Sequence, residues 1–235
     1  MVVNPKGCLR REFLGQAGLS GALVTLGSCG PEVSPNAPPP TGSGPCAIEA
    51  LAQDHGLMSR ILSVYEESAR RLDTGGGFKP LALVDAARVM REYIEDCHVR
   101  LEEVHLFPRY QHKDARMGLI EVLRNQHQAG RRLTSDILQL DELRLRDDAE
   151  TRRKLARVLL KAVQMCRPHE AREDTELFPL LRDIVTRSEM ESLREDFERE
   201  RNGRLGSDGF DRYVGTISES EKALEIHDLA RFTAE

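Results

Sequence analysis

The sequence predicts an all-α protein, an up-down-up-down four-helix bundle followed by a C-terminal helical extension. Leu, Ala, Arg and Glu are abundant, while aromatic residues make up only 5% of the 235 residues, a composition typical of helical proteins. Apolar residues recur at steps of three and four along four long stretches, and no stretch alternates as a strand does. The third observation is an internal repeat: HVRLEEVHLFP (98–108) returns 71 residues later as HEAREDTELFP (169–179).

Four amphipathic stretches form the predicted bundle domain, residues 46–182. Their predicted helices are 47–72, 80–107, 115–141 and 149–178. Pro108 and Pro179 are expected to end the second and fourth helices, because proline has no N–H to donate. The repeat duplicates one helical hairpin, which predicts a bundle with approximate twofold symmetry. Residues 183–235 form the predicted extension, with helices at 187–201 and 211–232.

Residues 1–29 resemble a twin-arginine export signal that ends in a bacterial lipoprotein cleavage box. The pair Arg10-Arg11 precedes a weakly apolar stretch, and the sequence LGSC places Cys29 where such proteins are acylated. The resemblance implies export by the twin-arginine route, to the periplasm or to a membrane anchor at Cys29. The alternative is a cytoplasmic tail in which the arginine pair is accidental. Residues 30–45 are rich in Pro, Gly and Ser, as flexible tethers are.

The repeated phrase contains the candidate functional residues. In each copy a histidine is followed four residues later by a glutamate, so the two side chains lie on the same helix face. A lone histidine also lies on the apolar stripe of the first and of the third helix, at positions 72 residues apart. One such histidine is ordinarily a satisfied core residue, but a duplicated set predicts convergence inside the bundle. The predicted site residues are His55, His98, Glu102, His127, His169 and Glu173.

These residue types indicate a metal site. Burying two carboxylates and four imidazoles without partners is costly, and a cation removes that cost. Mixed nitrogen and oxygen ligands in a bundle core suit a pair of first-row transition ions. Two six-coordinate ions have about twelve ligand positions, of which four histidines, two bridging glutamates and a solvent-derived bridge leave about two open. Iron is the preferred interpretation and manganese the next, whereas closed zinc sites need only four ligands and often use thiolates.

At these residues the sequence resembles the haemerythrin-like (HHE cation-binding) domain family. The pattern H-x3-E-[ED]-x2-LFP occurs twice, each time after a lone histidine, and the likeness covers residues 47–180. The resemblance implies a non-haem di-iron centre with an oxo or hydroxo bridge, which binds dioxygen or a related diatomic through the six ligands above. Oxygen-carrying haemerythrins have another histidine one turn after the third-helix histidine, where this chain has Arg131. The four-histidine set is therefore similar to the HHE subgroup.

Four residues lie next to the predicted ligands, and two of them, His105 and Glu170, are weaker candidates for ligands. His105 follows the first motif histidine by two turns and is interpreted as an orienting or exposed residue before a seventh ligand. Glu170 is an outside candidate for a ligand. Glu103 and Asp174 are turned about 100° from the glutamates that precede them, so each is expected to face solvent or to orient a histidine.

Three classes of function remain open: a module that binds, stores or senses dioxygen or nitric oxide, a redox enzyme that acts on peroxide or nitric oxide, and a bundle whose metal is only structural. A ferritin-like oxidase needs Glu-x-x-His on two helices, whereas the second phrase has Glu173-x-x-Glu176. Beyond the ligands, no group of residues that could act as general acid and general base is evident, so binding is preferred over catalysis. The net charge of −5, with both signs interleaved, argues against a nucleic-acid partner, and a membrane is expected only through the N-terminal lipid.

Overall fold

A computed structural model describes residues 46–112, 116–139 and 148–234, all within one compact unit. The predicted signal (1–29) and tether (30–45) lie outside the described residues. Every regular element in the described part of the chain is helical, as predicted. The helices are α1 (Ala47–Thr74), α2 (80–112), α3 (Met117–Leu138), α4 (149–184), α5 (Arg187–Leu205) and α6 (Gly209–Ala223). None of these helices is long and apolar enough to cross a membrane.

The ends of the helices follow from local chemistry. The backbone N–H of Cys46 donates to the Glu49 carboxylate at 3.0 Å, which fixes the start of α1. Gly75 ends α1 in the left-handed conformation, with φ 73°, which glycine adopts without a steric cost. Asp148 precedes α4, and its carboxylate accepts hydrogen bonds from two backbone N–H groups of the first turn.

The long helices α2 and α4 change their hydrogen-bonding register along their length. In α2, Pro80–Val89 is followed by the π-helical segment Met90–His98, the α turn Val99–Leu101, the π-helical segment Glu102–Leu106 and the α segment Phe107–His112. In α4, Ala149–Arg172 is followed by the π-helical segment Glu173–Leu177 and the α segment Phe178–Ile184. Such turns are rare and occur frequently at functional sites, and here one lies within each repeated phrase, beginning at Glu102 in the first and at Glu173 in the second.

The prediction that Pro108 and Pro179 end their helices is wrong. α2 continues to His112 and α4 to Ile184. Each proline follows a π-helical segment, and so lies in the first turn of the α segment that begins after it. In that position the missing N–H costs little and the fixed φ of proline suits the helix. The prolines therefore mark a change of register within the helix and not its end.

The first four helices form a helical bundle. α1 packs against α2 and α4, and α3 packs against the same two helices, so all four turn apolar faces to a common interior. Burying each large aliphatic side chain there stabilises the fold by about 1.5–3 kcal/mol. Fully buried members of this core include Leu51, Ile61, Leu62, Leu83, Leu101 and Leu159.

The C-terminal extension packs on one side of this bundle. α5 contacts α1 and α2, and α6 contacts the same two helices. The predicted helix at 211–232 is too long: α6 ends at Ala223, and Leu229–Phe232 forms a separate 3₁₀ turn. Glu225 has a left-handed φ of 58°, which interrupts the helix. The Arg71 guanidinium donates to the carbonyl of Leu224 at 2.6 Å, so the end of α6 is tied to α1.

Candidate metal centre

The structure brings the six predicted site residues together in the bundle interior. They form two groups, within each of which the potential ligand atoms lie no more than 4.8 Å apart, and all six residues are buried. Both glutamates belong to both groups. One group is His55, His98, Glu102 and Glu173, and the other is Glu102, His127, His169 and Glu173.

Each glutamate lies between a histidine of one group and a histidine of the other. Glu102 has one oxygen 3.5 Å from His98 Nε2 and its other oxygen 3.5 Å from His127 Nε2. Glu173 Oε2 lies 3.3 Å from His55 Nε2 and 3.2 Å from His169 Nε2. A carboxylate in either position could join two cations, because its oxygen atoms lie close to histidines of both groups.

All four histidines direct the same ring nitrogen, Nε2, at this interior. In each case Nδ1 lies at hydrogen-bonding distance from an oxygen of a neighbouring side chain, so that the neutral ring carries its proton on Nδ1 and presents the Nε2 lone pair to a metal. The pairs are His55 with Asp174 at 2.9 Å, His98 with Asp54 at 3.1 Å, His127 with Glu103 at 2.9 Å and His169 with Gln126 at 2.9 Å.

Glu103 and Asp174 thus orient histidines, one of the two roles expected for them. Each acts across the repeat, since Glu103 of α2 holds His127 of α3, and Asp174 of α4 holds His55 of α1. Arg131 lies where oxygen-carrying haemerythrins have a further histidine, and its guanidinium donates to both oxygens of Glu103 at 3.3 and 3.2 Å. The positive charge of Arg131 therefore helps to hold Glu103, the partner of His127, in place.

The phenylalanine of each Leu-Phe-Pro triplet covers one of the lone histidines. The Phe178 ring stacks on His55 with centroids 5.4 Å apart, and the Phe107 ring stacks on His127 at 5.7 Å. Phe107 and Phe178 are almost completely buried. These rings keep solvent away from the histidines, so the interior of the site is dry on these sides.

The buried polar atoms of the centre lack the partners that a stable interior needs. Both carboxylate oxygens of Glu102 and of Glu173, together with His55 Nε2, accept or donate no hydrogen bond among the described residues. His127 Nε2 and His169 Nε2 face each other at 3.2 Å. Uncompensated groups of this kind cost about 1–3 kcal/mol each, more when charged. Cations between the Nε2 atoms and the carboxylates satisfy all of them, so the residues fit a metal centre.

The electrostatics of the metal-free centre differ between its residues. Burial opposes a charge on His55, but its contacts with Asp174 and Glu173 outweigh burial and raise its pKa to about 11. Burial, reinforced by the charge of Glu173, raises the pKa of Glu102 well above its usual value. Burial lowers the pKa of His98 and of His127, which favours the neutral imidazole that binds metals. One carboxylate is thus forced toward its neutral form until a cation is present to stabilise its charge.

The structure does not bring the two weaker candidates into either ligand group. His105 lies between α2 and α5, where its Nε2 is 2.8 Å from a carboxylate oxygen of Glu200. Glu170 is buried, and one of its oxygens accepts a hydrogen bond from Ser59 Oγ at 2.9 Å. Burial raises the pKa of Glu170 to about 7.

A cavity of about 40 Å³ adjoins the centre on the side of His98, His127 and His169. Sulfur-containing side chains and aliphatic groups form much of its wall, and its polar residues besides the three histidines are Glu95 and Gln126. Sequence reasoning did not identify this cavity, because its walls come from four helices at ordinary core positions. They include Met58, Met90, Met165 and Cys166.

Sequence reasoning also missed Asp54 and Gln126, the partners of the two motif histidines. A signal was present: each immediately precedes the lone histidine of its hairpin, so the two occupy equivalent positions of the repeat. It also missed Arg201 of the extension, whose Nη2 donates to Asp54 at 2.6 Å. No pattern near Arg201 indicated this contact.

A helical bundle with buried clusters of histidine and glutamate is built to hold metal cations. Residues 46–181 match the hemerythrin HHE cation binding domain, and the chain belongs to this family. It is 35% identical to uncharacterized proteins of Mycobacterium bovis and of two strains of Mycobacterium tuberculosis, over 97% of this chain and 92% of theirs. This likeness extends well beyond the matched domain. No solved structure shows a significant match.

Proposed function

We propose that the six site residues hold two non-haem iron ions and that the centre binds a small ligand, dioxygen or nitric oxide. The observation that carries the proposal is the sharing of both glutamates between the two ligand groups. Mixed imidazole and carboxylate ligands suit iron, with manganese the next choice, and the absence of thiolates from both groups disfavours zinc. The up-down-up-down order of α1 to α4 is part of the same proposal.

When bound, two iron ions supply electrons and open coordination positions to a small oxygen- or nitrogen-containing ligand. The protein's own contribution is orientation and exclusion of water. The partners of the four Nδ1 atoms fix the ring planes, and such partners are worth about 10–100-fold in metal affinity. Phe107 and Phe178 cover two of the rings, which keeps the centre in a medium of low polarity.

The cavity supports a small and uncharged ligand. A site for one water molecule needs at least about 10–15 Å³ on the same measure, so 40 Å³ holds a diatomic molecule but no metabolite. The walls offer mainly thioether and aliphatic groups, with few polar atoms to bind a charged substrate.

The second candidate is a redox enzyme that acts on peroxide or nitric oxide. Glu95 favours it, because it is a buried carboxylate in the wall of the same cavity and reductions of these ligands consume protons. Its oxygens lie 2.6 Å from Thr134 Oγ1 and 2.8 Å from Arg91 Nη1. Burial raises the pKa of Glu95, so that it retains its proton to higher pH than an exposed glutamate.

Titration of the reduced, iron-loaded protein with dioxygen, nitric oxide and peroxide separates these functions. We expect the near-ultraviolet and visible absorption to change with a diatomic ligand and to return when it is removed. Repeated consumption of peroxide or nitric oxide by the protein, abolished in Glu95→Gln, would instead support the enzyme. A spectrum that none of the three ligands changes would contradict both functions.

We also propose that the protein acts outside the cytoplasm, after export by the twin-arginine route with or without a lipid at Cys29. Arg10-Arg11 and the LGSC sequence support this location. The route carries folded proteins, which allows the metal to be inserted before export.

A further inference from the structure

The C-terminal extension reaches the candidate metal centre through one side chain. Arg201 of α5 donates from Nη2 to Asp54 Oδ2 at 2.6 Å, and the same oxygen lies 3.1 Å from His98 Nδ1. The hydroxyl of Tyr93 donates to the other oxygen of Asp54 at 2.6 Å. Asp54 is completely buried, so its position is set by these three contacts.

Asp54 depends on Arg201 for its charge balance. A buried carboxylate without a cation is costly, and removing one partner of a buried ion pair is strongly destabilising. The Arg201 side chain is only 17% exposed and lies over the Tyr93 ring, 6.0 Å from its centroid, so the guanidinium is itself held in place. No other lysine or arginine among the described residues is hydrogen-bonded to Asp54, so without Arg201 the oxygen that orients His98 loses its cationic partner.

The equivalent position in the second half of the repeat is different. His169 Nδ1 pairs with the neutral amide oxygen of Gln126 at 2.9 Å, and no cationic side chain among the described residues bonds to that amide. A carboxylate partner raises the basicity of an imidazole ligand more than an amide does. The histidine pairs of the two groups are therefore held by unlike partners, although the six site residues themselves are duplicated.

We propose that Arg201 is a positioning residue of the metal centre, which acts through Asp54 and His98 to strengthen binding of the ion held by His55 and His98. The extension, which lies beyond residues 46–181 of the family match, thereby makes the two metal positions unequal. This inference rests on the proposed di-metal function. It assigns the extension a part in metal binding, and it predicts that the ion beside His127 and His169 is independent of α5.

The test is a stepwise anaerobic titration of the full-length chain with Fe²⁺ against a competing chelator, for the wild type, Arg201→Gln and Arg201→Lys. In Arg201→Gln we expect one of the two ions to bind about 10–100-fold more weakly and the other to bind as in the wild type. Lysine retains the positive charge, so Arg201→Lys should recover part of the loss. Co²⁺ loading adds a spectroscopic measure, because the visible bands of one site should shift and those of the other should not.

Two further variants separate metal positioning from general stability. Asp54→Asn keeps the size of the side chain and removes its charge, so it should weaken the same single ion. Arg60→Gln is the matched control: Arg60 of α1 holds α6 through Glu221 and Ser218 at 2.6–2.9 Å and has no contact with the centre. It should lower the thermal stability of the metal-free protein and leave both affinities unchanged.

The inference is overturned if Arg201→Gln binds both ions as the wild type does, if it loses both ions equally, or if Arg60→Gln gives the same loss. In each of these cases the wild type still binds two ions, so the proposed function survives. A wild-type protein that binds fewer than two ions refutes the proposed function itself, and this inference with it.

Discussion

Each of the four site histidines is held at Nδ1, and this contact decides which nitrogen faces the interior. Three of the partners are carboxylates, of Asp54, Glu103 and Asp174, and the fourth is the amide of Gln126. Because a neutral imidazole has only one proton, a histidine that donates from Nδ1 presents a lone pair at Nε2. The four outer partners therefore orient the histidines so that each Nε2 faces the shared glutamates.

Glu102→Gln tests whether both ions bind to the Glu102 carboxylate. In the wild type, an ion at 100 times its dissociation constant should add about 2.7 kcal/mol to the free energy of unfolding. The variant should lose most of this gain for both ions, because Glu102 belongs to both groups. Its metal-free form should be at least as stable as the wild type, since burial already raises the pKa of Glu102 well above its usual value. Denaturant unfolding with and without Fe²⁺ measures both effects.

Glu170→Gln is the control for this variant, because Glu170 is also buried but belongs to neither ligand group. It should retain the full stabilisation by both ions. Equal stabilisation of Glu102→Gln and of the wild type by Fe²⁺ would show that Glu102 is not a ligand.

The six site residues could be predicted because they follow a short sequence spacing that occurs twice in the chain. A spacing of four residues on a helix places His98 with Glu102, and the repeat supplies the second copy. The partner of Asp54 could not be predicted in this way, because Arg201 is 147 positions away along the chain. Arg201 is one of several arginines in the charged helix α5, and only the packing of α5 against the bundle brings it to Asp54.

Among the helices, the π-helical segments of α2 and α4 could not be predicted from the spacing of apolar residues. Apolar periodicity predicts that a stretch is helical, and the helical type of α1 to α4 is confirmed. The spacing of apolar residues does not predict which carbonyl accepts the hydrogen bond from each N–H group. The continuation of α2 and α4 past Pro108 and Pro179 was therefore not predicted. The same register changes contain Glu102 and Glu173, and thus they affect where the shared carboxylates lie.

Pro179→Ala tests whether proline fits without strain in the α segment that follows the π-helical segment of α4. Since Pro179 lies in the first turn of the α segment Phe178–Ile184, alanine should fit the same backbone. The variant should lose only about 0.4–1 kcal/mol of unfolding free energy, from the greater freedom of the unfolded chain. Gln164→Pro is the contrasting variant, because Gln164 is exposed in the interior of α4 and proline there should cost about 3 kcal/mol or more. A stabilisation of several kcal/mol by Pro179→Ala would mean that the proline strains the helix.

At the scale of the whole molecule, the two hairpins depend on each other. Glu103 of the first hairpin holds His127 of the second, and Asp174 of the second holds His55 of the first. Each shared glutamate also lies beside histidines of both hairpins. Neither half of the repeat therefore contains a complete site, and α5 adds a further contact from outside the duplicated region through Arg201.

The proposed centre consists of six buried residues that hold two cations and share two glutamates between them. The most direct measurement is the metal content of the purified full-length protein after anaerobic loading with Fe²⁺ and removal of unbound ions, for the wild type and for Glu102→Gln. We expect two ions per chain in the wild type and the loss or strong weakening of both in the variant. One ion per chain or none in the wild type, or two in Glu102→Gln with unchanged affinity, would contradict this proposal.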